Sequence, residues 1–308
     1  MRLYPATQPT LYFIGVTTAQ SSIMKIFPLW AKELGLCDAV IKGIDLPLHA
    51  PRESYREVVS FVKDDPLSLG ALVTTHKLDL YAAAKDLLDH VDPYAEKLSE
   101  VSCLSKSGGL FSAHAKDPVS CGLALEMFLP ENNWQEHGGE ALLLGAGGSA
   151  LAMSLYFSKL DHPPRRITIA NRSTPRLHSA QAALTGLDLE LVFAHGPSPE
   201  DNDALIKKLP PYSLIVNATG LGKDAPGSPT TDAAAYPAHS FVWEINYRGD
   251  LIFMEQAGRQ KTEKKLHVED GWQYFIHGWT QVISEVFHIE IEGDLLARLS
   301  EIANFARG

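Results

Sequence analysis

The sequence is poor in cysteine: Cys37, Cys103 and Cys121 are its three thiols in 308 residues. An odd count without CxxC spacing excludes a disulfide framework and a thiolate zinc site, and suits a reducing compartment. Long apolar runs are also missing, so no membrane span is expected. The opening MRLYPATQ lacks the charged and apolar regions of a secretory signal, which leads to the expectation of a cytoplasmic protein. Positive charge is scarce, with 27 basic against 37 acidic residues and a net charge of -10. The densest basic run, KTEKK at Lys261 to Lys265, reads as a solvated turn or helix end, so a general nucleic-acid surface is excluded. His76, His114 and His277 fall on three separate elements without HxH or HxxxH spacing, and no metal site is expected. Internal repeats and low-complexity segments are absent.

What remains is an ordinary globular composition, with 45% apolar and 21% charged residues, at a length that suits two domains. Strand-like and helix-like runs alternate through the first third. LYFIGV (Leu11 to Val16), AVIKGIDL (Ala39 to Leu46) and LGALVTT (Leu69 to Thr75) read as strands. Helices are expected at Ser22 to Leu34, Glu53 to Lys63 and Leu78 to Leu88. Such alternation predicts a parallel sheet. After the acidic segment DHVDPYAEKL, VSCLSKSGGLFSAH reads as a hairpin turning at Ser107-Gly108-Gly109. From about Pro118 a helix leads into a second set of strands, at Ala141 to Leu144, Arg166 to Ala170, Leu189 to Ala194, Leu214 to Asn217 and Phe241 to Glu244. Helical spacing returns around Trp272 to Phe287 and Leu295 to Phe305. The fold class is therefore α/β, with an N-terminal α/β domain over residues 1–117, a Rossmann-like domain over 118–272, and C-terminal helices over 273–308 that return to the first.

The stretch Ala141 to Arg176 carries the most chemistry. ALLLGAGGSA is a short apolar strand running into a helix. Gly145 permits the tight turn, Ala146, Gly147, Gly148 and Ser149 present backbone N–H groups to a pyrophosphate, and Ala150 lets helix and strand pack closely. About twenty-five residues after Gly145, where an acid would bind the ribose hydroxyls of NAD, the chain reads Asn171, Arg172, Ser173. Arg172 can bind a 2′-phosphate bidentately, Ser173 can donate to it, and Arg176 adds a second cation. The expected cofactor is NADP.

Lys77 ends the run LVTTHK just before a helix, at the strand edge where α/β proteins build sites, and Asp117 follows the hairpin. Together they offer a proton-transfer pair, the lysine exchanging the proton and the carboxylate orienting it.

IGVTTAQSS, VTTHK, the hairpin ending in an Asp, GAGGSA, NRSTPR, VNATGLG, EINYRGD and EDGWQYF follow one another over nearly the whole chain. In that order they resemble the shikimate dehydrogenases. The resemblance implies an N-terminal substrate domain, an NADP-binding domain and reduction of 3-dehydroshikimate to shikimate in aromatic amino acid biosynthesis, with Lys77 and Asp117 as the cleft pair. It implies that Ser21 holds the substrate carboxylate with a second hydroxyl from Ser22 or Thr18, and that Thr74 and Ser102 bind substrate, Ser102 in place of the family's Asn. Ala115 replaces another Asn, and Gly278 falls at or beside a Gln for which Gln281 can substitute. On the cofactor side it implies that Asn217, Ala218 and Thr219 pass beneath the nicotinamide ribose and that the Gly271 backbone meets the carboxamide. Tyr247 stands between cofactor and substrate, with Glu244 in place of an upstream Asp. The expected partner is a small hydroxy acid, bound by a monomer or homodimer. Altered polar groups leave two other readings open: a dehydrogenase of quinate or another cyclic hydroxy acid, and a non-catalytic sensor of NADP and a metabolite.

Overall fold

The computed structural model describes residues 3–223 and 225–307. The chain folds as two compact units, Met1–Lys116 with Gly278–Gly308, and Asp117–His277.

In the first unit β1 (Thr10–Gly15) lies between β2 (Val40–Asp45) and β3 (Ser68–Val73), parallel to both. All six residues of β1 are buried, as in a central strand covered on both faces. The helix Arg52–Asp64 places Tyr55, Val58, Val59 and Val62 on one side, where they pack with Ile14, Ile44 and Val73. Beyond β3 the expected parallel sheet gives way to a mixed one. The two-residue strand β4 (His90–Val91) pairs with the hairpin β5 (Cys103–Ser107) and β6 (Leu110–His114) through β6, and the order is β2-β1-β3-β5-β6-β4. β5 runs antiparallel to both of its neighbours, to β6 because a hairpin reverses the chain without a crossover helix. The acidic segment holds β4 and the short helix Pro93–Leu98, whose N-cap Asp92 accepts from the Ala95 N–H at 2.6 Å.

The C-terminal helices Trp272–Phe287 and Gly293–Arg307 complete this unit from Gly278 onward. The Trp30 indole donates to the Leu299 carbonyl at 2.8 Å, and Phe13 meets Trp279 edge-on at 4.9 Å between ring centres.

The second unit contains six parallel strands: β7 (Ala141–Leu144), β8 (Ile167–Asn171), β9 (Leu191–His195), β10 (Leu214–Asn217), β11 (Phe241–Glu244) and β12 (His267–Glu269). Their order, β12-β11-β10-β7-β8-β9, is that of the dinucleotide-binding sheet, with its switch point between β7 and β10. Five strands are expected from the sequence. The sixth, β12, escapes because three half-buried edge residues carry no apolar period. No helix among the described residues is long and apolar enough to cross a membrane.

Candidate functional site

At the carboxyl ends of β7, β8 and β10, the second unit has a cleft of about 630 Å³. Gly145, Ala146, Gly147, Asn171, Arg172, Ser173, Arg176, Ala218 and Thr219 all line it. Gly145 is the residue that the geometry demands there: its φ is +117°, and a Cβ would lie 2.5 Å from the Ala218 carbonyl oxygen. Gly147, the N-cap of the helix Gly148–Phe157, has nothing within 4 Å of a Cβ position, so a ligand can approach its backbone and the helix N-terminus behind it. Gly148 and Ser149 are half-buried in the first turn, while Ala150 is fully buried and serves packing.

The Asn171 side chain accepts from the Ser173 N–H at 2.8 Å, and the Ser173 hydroxyl caps the next helix, Thr174–Ala183. Arg172 and Arg176 are exposed beside that turn and have no ion-pair partner among the described residues. Arg56, Arg166, Arg259 and Arg298 are by contrast matched to acids, as in Arg56 with Asp86 and Arg166 with Glu190. Two unmatched guanidinium groups at a cleft mouth form a receptor for a dianion. The sequence reading missed the far wall, where Gly196, Pro197, Ser198, Pro199 and Asn202 follow β9. A signal existed: Ser198-Pro199-Glu200-Asp201 reads as a capping box, which marks a helix start at the same sheet edge.

Asn217 is buried and absent from the lining of the cleft. Its Nδ2 donates to Glu244 Oε2 at 2.5 Å, and its Oδ1 accepts from the Thr219 N–H at 3.0 Å and the Thr219 hydroxyl at 2.6 Å. It shapes the loop and leaves Ala218 and Thr219 to face the cleft. Gly271 likewise differs from expectation. Its N–H already donates to the Asn246 carbonyl at 3.1 Å, and a Cβ there would collide with the Ile245 carbonyl, so close packing accounts for the glycine. Tyr247 sits in an aromatic cluster, 4.6 Å from Phe275 and 5.4 Å from Trp272 between ring centres.

In the first unit Lys77 opens the helix Lys77–Ala84 just past the end of β3. His76 before it is buried: Nε2 donates to the Leu46 carbonyl and Nδ1 accepts from the Tyr55 hydroxyl, each at 3.1 Å. A carbonyl can only accept, which assigns the tautomer and leaves His76 a structural role. Thr74 is half-buried at the same strand end. Between the two candidates for a second hydroxyl, Thr18 is already committed, donating from Oγ1 and N to Asp45 Oδ1 at 2.6 and 2.8 Å. Ser21 and Ser22 precede the helix Ile23–Glu33, half-buried, with hydroxyls that bond to nothing else among the described residues.

Ser102 is turned inward. Its hydroxyl accepts from the Lys116 N–H at 2.7 Å and donates to the His114 carbonyl at 3.4 Å, holding the chain that leads to Asp117. Lys116 is paired with Glu285 at 2.6 Å, and Glu285 reaches His114 at 3.3 Å. Gln281 is half-buried in the helix Trp272–Phe287. Asp117 is the first residue of the helix Asp117–Glu126 in the second unit and is 9% exposed.

No protein-family model matches the chain. It is 27% identical over 271 residues to the shikimate dehydrogenase (NADP+) of Methylobacterium radiotolerans, covering 87% of this chain and 88% of that one. It is 26% identical over 235 residues to the enzyme of the same name from Paramagnetospirillum magneticum, covering 76% and 77%. The chain is thus similar in sequence to shikimate dehydrogenases over three quarters or more of its length. The likeness of fold extends over nearly the whole chain. The shikimate 5-dehydrogenase of Thermus thermophilus, solved in complex with NADP(H) and shikimate, superimposes with a TM-score of 0.71 at 21% identity, covering 96% of this chain and 99% of that one. The quinate dehydrogenase of Corynebacterium glutamicum, in complex with NAD, gives 0.73 at 19% identity and covers 96% and 98%.

Proposed function

We propose that this protein is an NADP-dependent dehydrogenase interconverting 3-dehydroshikimate and shikimate, or a closely related hydroxy acid. The observation that carries the reading is the cleft at the β7–β10 switch point, where an open Gly147 and a helix N-terminus stand in one wall with Arg172, Ser173 and Arg176. Relatives named for this reaction, aligned over most of the chain, support the same conclusion.

The residues present fit NADP. Among the described residues no atom lies within 4 Å of a Cβ position at Gly147 and no acid pairs with the Arg172 and Arg176 guanidinium groups, as a 2′-phosphate requires. Bound NADP supplies or takes up the hydride. Lys77 is the proton carrier: it takes the proton from the alcohol as the ketone forms and returns it to the alkoxide in reduction. Asp117 orients that exchange and holds the reacting hydroxyl. Ser21 and Ser22, whose hydroxyls are uncommitted, receive the substrate carboxylate, while Thr74, Gln281 and Tyr247 contribute to the ring environment. Ser102 is a strut for the approach to Asp117 instead of a ligand. In this reading Met1–Lys116 with the C-terminal helices is the substrate unit and Asp117–His277 the NADP unit.

The test is initial rates with NADP and with NAD across shikimate, quinate and related hydroxy acids, followed by nicotinamide absorbance. Fast NADP-linked turnover of shikimate is the expected result. Turnover of another acid alone moves the substrate and keeps the chemistry, and silence on all acids despite NADP binding would overturn the enzymatic reading.

A further inference from the structure

Glu244 ends β11 with 1% of its surface exposed, and the groups that bond to it are neutral. Oε2 accepts from Asn217 Nδ2 at 2.5 Å, and Oε1 accepts from the Asn246 N–H at 2.9 Å and Asn246 Nδ2 at 2.6 Å. Both asparagines then reach the loop after β10. Asn217 Oδ1 accepts from the Thr219 N–H and hydroxyl, that hydroxyl accepts from the Leu221 N–H at 3.2 Å, and Asn246 Nδ2 lies 3.4 Å from the Thr219 and Leu221 carbonyls. Ala218, Thr219 and Leu221 of this loop form part of the cleft wall. One carboxylate thus ties together two loops at the sheet edge, although it lines no part of the cleft itself.

A carboxylate facing three N–H donors is a good acceptor only while ionised. Protonation converts one oxygen into an O–H donor, and the Asn217 amide that faces Oε2 is also a donor. One hydrogen bond must then break, and a donor is left buried without an acceptor. The ionisable groups acting on Glu244 from neighbouring elements are Asp270, past β12, and Tyr236, ahead of β11. Neither supplies positive charge to hold the proton off.

We propose that Glu244 is the positioning residue that holds the 217–221 loop in its cofactor-binding form, so that NADP binding requires its carboxylate to be ionised. The proposal rests on the assignment of the cleft to NADP. Burial pushes the Glu244 carboxyl up to about 7, against the opposing hydrogen bonds from Asn246 and Asn217 and with a further upward push from Asp270, so its charge changes near neutral pH. Because the ligand favours the ionised form, affinity falls as pH falls, and NADP binding near pH 7 expels a proton.

The experiment is calorimetric titration of the wild-type protein with NADP and with 2′,5′-ADP at pH 6 and pH 8, repeated in buffers of different ionisation enthalpy. The fragment carries the 2′-phosphate and adenine, has a second monoester at the 5′ position and lacks nicotinamide, so it sets an upper bound on the weakening that phosphate titration causes. NADP is expected to weaken about tenfold more than the fragment between pH 8 and pH 6, with net proton release on binding at pH 7. Glu244→Gln, which keeps the size and removes the charge, is expected to bind NADP weakly at both pH values while binding the fragment like wild type. Parallel changes for both ligands in the wild-type protein would overturn the proposal even if the variant fails to fold. Failure of both ligands to bind at any pH would instead overturn the assignment of the cleft.

Discussion

Gly145 and Ala218 meet across the β7–β10 switch point so closely that a Cβ on the glycine would come within 2.5 Å of the Ala218 carbonyl oxygen. The contact joins the turn that presents the helix N-terminus to the loop that forms another part of the cleft wall. Gly145→Ala must therefore overcome both a φ of +117° and backbone overlap. A loss of about 2–5 kcal/mol is expected from the two effects together. Denaturant unfolding and NADP titration should both register it, and a variant with wild-type stability would show that the turn is not constrained as described.

Arg172→Asp places an anion where two unpaired cations now stand. Charge-assisted hydrogen bonds are worth about 1.5–3 kcal/mol, so NADP affinity should fall roughly 10- to 150-fold while NAD changes little. The ratio of kcat/KM for the two cofactors measures this. An unchanged ratio would remove Arg172 from the phosphate site.

Lys77→Ala is expected to lower kcat by about 10²- to 10⁴-fold, the range for a general acid–base group, with NADP affinity close to wild type. Single-turnover absorbance together with cofactor titration separates the two quantities. Loss of cofactor binding would mean that Lys77 supports structure instead of chemistry.

Ser102→Ala distinguishes a strut from a ligand. Removing the hydroxyl leaves the Lys116 N–H without its acceptor, which costs about 1–3 kcal/mol of stability. The KM for the hydroxy acid should hold within about twofold. A large rise in KM at unchanged stability would restore Ser102 to the substrate site.

The carboxyls of Asp92 and Glu285 are shifted in the opposite direction to that of Glu244. Burial raises both, but His114 and backbone N–H groups acting on Asp92, and Lys116 and His114 acting on Glu285, outweigh it and hold each below its ordinary value. Their stabilisation is present above the ordinary carboxylate range and is lost as pH falls through the depressed folded values. Glu285→Gln should therefore lower stability at pH 7 by about 1–3 kcal/mol and flatten its decline in acid. Urea midpoints at pH 7 and pH 3 test this, and an unaltered slope would place the acid sensitivity elsewhere.

Local patterns determined much of this protein. The strand–helix alternation, the GAGGSA turn, the basic end of β8 and the Gly108–Gly109 hairpin are each encoded within a few consecutive residues, by apolar period and by turn chemistry. Short or edge elements such as β4 and β12 left no such trace, because two or three residues cannot show a period. What a polar side chain faces was decided by tertiary structure alone. Asn217, Thr18 and Ser102 look like ligands by type and position, yet partners 14 to 27 residues away in sequence claim their polar atoms. Burial makes those bonds obligatory, since a polar group removed from water must find a partner inside the fold. Glu244 shows the same dependence, its charge being set by the sheet that buries it and by amides brought to it from the end of β10 and the loop after β11.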